Sequence, residues 1–240
     1  MSPGDPLLEP NVTTIDDVLE RLEDIQTHIE GEHGERDGVA RFNFLYHLIT
    51  QQVRDGANQA RFADNDFMRA LDVAFANRYF DALRADARNP GSAPKVWQAL
   101  IDERANQHVF AMQFAVAGVN AHINFDLAFA LVNACTTMHV ELGAGRQHDT
   151  YQEINDVFAE QMEPLRKHYE NPLVRFFDRS ILSRIANLGG DLAVIVTRDA
   201  AWMNGTWMWP RRGDADEIRE HSDEMDDAAT SLSDVILVHP

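Results

Sequence analysis

The segment AVAGVNAHINFDLAFALVNA, Ala115 to Ala134, decides how this chain folds. Nearly every residue in it is apolar or small, yet it carries Asn120, His122, Asn124, Asp126 and Asn133. At about 100° per residue, Gln113, Asn120 and Asn124 fall on one side of a helix, and His122, Asp126 and Asn133 on the opposite side. The flanks between them are apolar: Phe114, Ala121, Phe125 and Val132 on one, Val116, Ile123, Leu127 and Ala130 on the other. A helix apolar on both flanks is surrounded by other helices. Its polar stripes are then buried too, and since a buried group left unpaired costs about 1–3 kcal/mol, each needs a partner.

The flanking segments supply the surrounding helices. TIDDVLERLEDIQTHIE places Ile15, Val18, Leu22, Ile25 and Ile29 at helical spacing after Thr14, with Gly31 and Gly34 as stops. Similar periods run from Gly38 to Arg54 (Val39, Phe42, Tyr46, Ile49, Val53) and from Asp66 to Arg88 (Phe67, Leu71, Phe75, Tyr79, Leu83). NPGSAP, Asn89 to Pro94, breaks the chain before a short helix carrying Trp97, Leu100 and Ile101. The central helix spans Phe110 to Thr137 and ends at ELGAGRQHD. TYQEINDVFAEQMEPLRKHY resumes the helical period, with Pro164 as a kink or boundary. NPLVRFFDRSILSRIANLGG and DLAVIVTRDAAWMNG read as a helical pair, WMWPRRGDAD as a loop, and DEIREHSDEMDDAATSLSDVILV as a last helix and tail. No serial strand alternation, nucleotide-binding glycine loop or internal repeat appears. The expected fold is all-α, a single-domain bundle of about eight or nine helices around the buried central one. It occupies residues 13–240, after an extended, proline-rich lead-in at residues 1–12.

Composition narrows the partners. Asp and Glu number 39 against 21 Lys and Arg, a formal net charge of −18, which repels phosphate backbones and anionic membranes and argues against nucleic acid. Cys135 is the sole cysteine, so neither an intrachain disulfide nor a finger-type zinc site is expected. The N-terminus shows no basic region followed by an apolar run, and His122 and Asp126 interrupt the longest apolar segment. A cytoplasmic protein without stable membrane insertion is the expectation. Oligomeric state is not legible.

His122 and Asp126 are the candidate catalytic pair. Their i, i+4 spacing brings imidazole and carboxylate together on one helix face. Such a pair either contributes to a divalent metal site, for instance zinc, or forms a proton-transfer dyad in which the carboxylate fixes the tautomer. The bland alternative is a buried dyad satisfied by an arginine from another helix. Arg198, the third candidate catalytic residue, sits within AVIVTRDAAW, where a charge needs an acidic partner such as Asp126 or Asp191, or serves as a clamp for an anionic substrate group. Asp191 and Trp202 share its helix face. His47, with Asp191, completes the candidate metal-ligand set of His122, Asp126, His47 and Asp191. Tyr46, Asn120, Asn124 and Trp202 are candidate substrate contacts, although carboxamides such as those of Asn120 and Asn124 commonly serve neighbouring helix carbonyls. Gly118, one turn before His122, marks either close helix approach or room for a ligand. His139, Glu141, His148, Asp149 and Glu153 cluster around a loop, and DDVLE (Asp16–Glu20) reads as a solvated helix face.

AGVNAHINFDL (Ala117–Leu127) resembles the AGxNAHIxxDL core of an uncharacterised bacterial family of unknown function, family 5995. The resemblance extends to GVARFNFLYHLIT (Gly38–Thr50), LDVAFANRYFDAL (Leu71–Leu83), YQEIN (Tyr151–Asn155) and RDAAW (Arg198–Trp202), and so covers most of the chain. It implies no activity. Where that family carries an acid before the aromatic of YQEIN, this chain has Thr150. A local similarity to zinc-dependent phospholipase C rests on His122 and Asp126 alone. The next histidine of that pattern would fall on Val132, so a trinuclear zinc site does not follow.

Three functions are consistent with these features. The favoured one is a small-molecule enzyme with a His122/Asp126 centre, hydrolytic in its metal-assisted form and acid–base in its metal-free form. The second is a non-catalytic ligand-binding or scaffold domain whose polar stripes specify helix register. The third, an isoprenoid or lipid-binding protein or cyclase, requires a large apolar cavity.

Overall fold

A computed structural model describes residues 4–143, 145–169 and 190–238, with side chains outside 158–169 and 190–196. Thr14 sets the first helix. Its hydroxyl accepts the Asp17 amide and the Asp17 carboxylate accepts the Thr14 amide, both at 3.1 Å, satisfying two donors that a helix start leaves open. Helix α1 (Ile15–His33) buries Ile15, Val18, Leu22, Ile25 and Ile29. It runs through Gly31; Gly34, at φ 87°, is the stop. Asp37 opens α2 (Gly38–Asn58) by accepting the Val39 and Ala40 amides at 2.9 and 3.0 Å, and its other oxygen holds Arg104 Nε at 2.6 Å. Helices α3 (Asn65–Arg88) and α4 (Lys95–Glu103) follow.

The central span consists of α5 (Ala111–Ala121), a π turn (His122–Asp126) and α6 (Leu127–Met138). Within it the Leu127 amide donates to the His122 carbonyl, five residues back, so one extra residue enters the hydrogen-bond ladder. An extra residue rotates everything downstream by about 100°. Asn133, expected on the stripe of His122 and Asp126, is consequently exposed.

Helix α7 (Arg146–Tyr169) starts earlier than its apolar period suggested and continues past Pro164. The segment NPLVRFFDRSILSRIANLG lies outside the described residues. Helix α8 (Gly190–Met208) passes into a single 3₁₀ turn (Trp209–Arg211), and α9 (Ala215–Ile236) closes the bundle. WMWPRRGDAD is therefore mostly helical rather than a loop. Trp209 is buried because its indole donates to Glu141 at 2.7 Å and Arg212 lies over its ring at 3.9 Å.

Among the described residues, counting the central span once, eight helices pack as an all-α single-domain bundle and no strand occurs. Helix α5 lies against α2, α4 and α9, while α6 lies against α3 and α8. One helix among the described residues, Ala111–Met138, is long and apolar enough to cross a membrane, contrary to the expectation that His122 and Asp126 would deny it that property. Here 72% of its most apolar window is buried by protein.

The crossing of α2 and α5 is unusually close. A Cβ on Gly118 would lie 2.2 Å from the Phe42 ring, and one on Gly38 would lie 2.4 Å from the Phe114 ring. Each helix thus offers a glycine to the other's phenylalanine. Gly118 serves helix approach and leaves no room there for a ligand.

Candidate active site

Three helices fix the imidazole of His122. From α3, Phe75 stacks on it with ring centroids 3.4 Å apart and planes 9° from parallel. From α2, Tyr46 meets its edge at 4.5 Å. Asp126, one π turn on, lies with Oδ2 3.2 Å from Nδ1. That carboxylate is itself anchored: Trp97 Nε1 of α4 donates to Oδ2 at 2.9 Å and Arg78 Nε of α3 to Oδ1 at 3.3 Å. Arg78 lies over the Phe129 ring at 4.4 Å, which steadies the guanidinium. Asp126 is 1% exposed by side chain and His122 is 4%.

This network assigns the tautomer. With both Asp126 oxygens accepting, Nδ1 carries the proton and Nε2 carries the lone pair. Nε2 is buried and has no hydrogen-bond partner among the described residues. His122 also lines a cavity of about 50 Å³, with Phe42, Tyr46, Leu71, Asp72, Phe75, Ile123 and Arg198 among its walls. At roughly 10–15 Å³ for each water position, a space of that size takes a few water molecules or a small polar group. Asp126 is not on its wall; the carboxylate sits behind the imidazole.

Two more buried polar atoms on this wall lack partners among the described residues, the Tyr46 hydroxyl and Asp72 Oδ2. Thr50 is close enough to Tyr46 to lower its pKa without completing a hydrogen bond, and its hydroxyl is likewise unpartnered. Burial inverts the usual order of acid and base. It pushes the Asp72 carboxyl up to about 8. It pulls His122 below the ordinary imidazole value, against the raising influence of Asp126 and with a further lowering from Arg78. Near neutral pH the carboxyl keeps its proton and the imidazole stays unprotonated, a pairing suited to acid and base roles in one step. Tyr46 is raised well above its ordinary value, first by burial and then by the Asp72 charge, and remains a neutral donor.

A stability consequence follows. Folded Asp72 holds its proton to about pH 8, whereas an ordinary aspartate carboxyl releases it near 3.8. The contribution of this group is therefore complete below pH 3.8 and declines as pH rises toward 8, an upper figure of ~4 kcal/mol at neutral pH. Asp72→Asn should accordingly stabilise the protein at pH 7 to 8, by ~2 kcal/mol or more, and change nothing at pH 3.5. Urea unfolding at the two pH values measures this, and equal effects at both would show that the carboxyl is not held protonated.

A family model described as Family of unknown function (DUF5995) matches residues 15–239. The chain belongs to that family. No curated protein and no solved structure matches it. The matched span includes Tyr46, Asp72, His122, Asp126 and Arg198, so the cavity lies wholly within the family's domain.

The other sequence candidates disperse. Arg198 does line the cavity: its Nε donates to Asn155 at 2.8 Å, its Nη2 to the Tyr151 carbonyl at 2.7 Å, and its guanidinium covers the Tyr151 ring at 4.2 Å. Asp126 takes Arg78 instead. Asn120 is turned toward α9, donating to the Ala229 carbonyl and the Ser233 hydroxyl at 2.8 and 2.9 Å. Asn124 donates to Asn120 at 2.7 Å, and Gln113 holds the Ile236 carbonyl at 2.6 Å. That stripe fastens the last helix, and neither asparagine reaches the cavity. Trp202 packs against His148 and Tyr151 at 4.7 and 4.9 Å, also away from it.

Of the candidate metal ligands, His122, Asp126 and His47 do not come together. Both Asp126 oxygens hold protein donors. His47 faces a separate surface groove with Asp16, Glu20, Glu23 and Arg54. The Asp191 side chain lies outside the described residues. No group of three or more His, Cys, Asp or Glu side chains able to hold a metal occurs among the described residues. In the loop cluster, Glu141 serves Trp209 and Glu153 accepts the Ala63 amide at 2.7 Å. Cys135 is buried with its thiol pushed up to about 11, which makes it a poor nucleophile.

Sequence reasoning missed Phe75, Arg78, Trp97 and, above all, Asp72. Asp72 carried a usable signal. It lies beside Leu71 and three residues before Phe75, so its carboxyl interrupts an apolar helix face.

Proposed function

We propose that this chain is a small-molecule enzyme in which His122 is the general base, Asp126 positions it and Asp72 is the matching general acid. The observation that carries this reading is the free Nε2 of a buried imidazole whose other nitrogen is fixed by an anchored carboxylate. An imidazole serving only the core would be expected to engage both nitrogens, because a buried unsatisfied acceptor is costly. In use, Nε2 would take a proton from water or from the substrate, and the Asp72 carboxyl would give one to the oxygen that gains negative charge. Return of the proton from imidazolium to the Asp72 carboxylate would restore both groups.

Metal-free acid–base chemistry has the better support of the two forms considered, since Asp126 is engaged and His47 is remote. A cavity of about 50 Å³ is too small for an isoprenoid chain. Hydrolysis is the reaction class to test first. Protein purified without a histidine tag should turn over small uncharged esters or amides, and His122→Gln should lower the rate by about 100-fold or more while leaving the helical circular dichroism intact. Turnover should survive a metal chelator. A variant as active as the parent, or a parent inert across such a panel, would overturn the reading.

A further inference from the structure

The structure assigns to the His122 cavity an uncharged ligand head that donates a hydrogen bond at one end and accepts one at the other, as a primary carboxamide or an alcohol does. It turns away the carboxylate of the same shape. This assignment rests on the proposed reading of His122 as a neutral base and names the substrate class of that site.

Hydrogen-bond polarity makes the case. His122 gives its one ring proton to Asp126, so Nε2 can only accept and requires a donor from the ligand. Tyr46 and Asp72 supply the complement, a phenol and a protonated carboxyl, each with an unpartnered oxygen on the same wall. An amide or hydroxyl satisfies both sides at once. A carboxylate offers only acceptors, so it leaves Nε2 facing another lone pair. It also surrenders its hydration to walls made largely of Phe42, Leu71, Phe75 and Ile123, which replace none of it.

Arg198 places a cation on the same wall, but other protein groups hold it. Its Nε donates to Asn155 and its Nη2 to the Tyr151 carbonyl, and its guanidinium lies over the Tyr151 ring. The arginine thus ties α8 to α7 and is poorly placed to clamp a carboxylate. The cavity volume of about 50 Å³ suits a head of three or four heavy atoms, with any remainder of the substrate outside it.

Acetamide and acetate test this, being the same shape and differing in charge and in the donor. Each is titrated into the full chain at neutral pH while the labelled histidine and tyrosine ring resonances are followed by nuclear magnetic resonance. Acetamide should shift the His122 resonances and bind about ten-fold or more tightly than acetate. Tyr46→Phe should weaken acetamide several-fold, because the carbonyl of the bound amide loses a donor. Equal or tighter binding of acetate overturns the assignment, as does the absence of any His122 shift by either probe at molar concentration. Should His122→Gln abolish turnover while acetate binds as well as acetamide, only the ligand class falls. Selective acetamide binding by a catalytically inert protein would instead remove the catalytic reading alone.

Discussion

Asp126→Ala lowers stability by about 4 kcal/mol, the largest single effect expected in this protein. The residue accepts from three donors, Trp97 Nε1, Arg78 Nε and the Nδ1–H of His122. Trp97 is fully buried and His122 nearly so, and removing their acceptor strands both without access to water. Arg78 is 31% exposed by side chain and can turn toward solvent, which limits its share of the loss. The conservative change separates these contributions. In Asp126→Asn the remaining carbonyl can stay on Trp97 and His122, with the amide group facing Arg78. That variant should lose about 2 kcal/mol and keep the Nδ1–H tautomer, visible in the nitrogen chemical shifts of His122. Urea unfolding of both variants at neutral pH is the measurement. Equal losses, or a loss below about 1 kcal/mol for alanine, would mean that the carboxylate does not anchor the imidazole.

Gly118→Ala destabilises by about 2–3 kcal/mol, even though alanine is favoured over glycine inside a helix by about 1 kcal/mol. The new methyl would sit 2.2 Å from the Phe42 ring, a distance that requires something to move. Phe42 has little freedom to retreat, because its ring is packed against Tyr46, Tyr79, Trp97 and His122 at centroid distances of 5.8, 5.2, 5.3 and 5.7 Å. Any yielding is passed directly to the imidazole. Phe42→Leu in the same chain should relieve the clash, so the double variant falls short of the sum of the single losses. Additive losses, measured by thermal or urea unfolding, would show that the two residues do not meet. Asp72→Asn points the other way, toward higher stability near pH 8 and lower turnover, a common exchange when a polar group is kept in an apolar site for chemistry.

Much of this was legible in local pattern. The spacing of Ile15, Val18, Leu22, Ile25 and Ile29 follows the repeat of a helix, and backbone geometry alone enforces that repeat. His122 and Asp126 sit four apart on one face, and their meeting needs no information from elsewhere in the chain. Burial of the central helix followed from its two apolar flanks, and the demand for partners followed from burial. Gln113, Asn120 and Asn124 read as one stripe and act as one, each through its carboxamide.

Tertiary packing decided the rest. A helical wheel says which way a side chain points and not which helix stands opposite, so the arginine for Asp126 was sought at position 198 and came from position 78. The π turn at His122–Asp126 shows up in no hydrophobic period, since it shifts the ladder by one residue where α3, α8 and α9 pack against it. Asp72, Tyr46 and His122 lie far apart in sequence, and only the crossing of α2, α3 and the central helix brings their side chains onto one cavity wall. Sequence determined the helices and their faces, because hydrogen bonding and periodicity act over a few residues. The site was left to the fold, because burial and the loss of water that set its protonation states belong to the packed molecule and not to any segment of it.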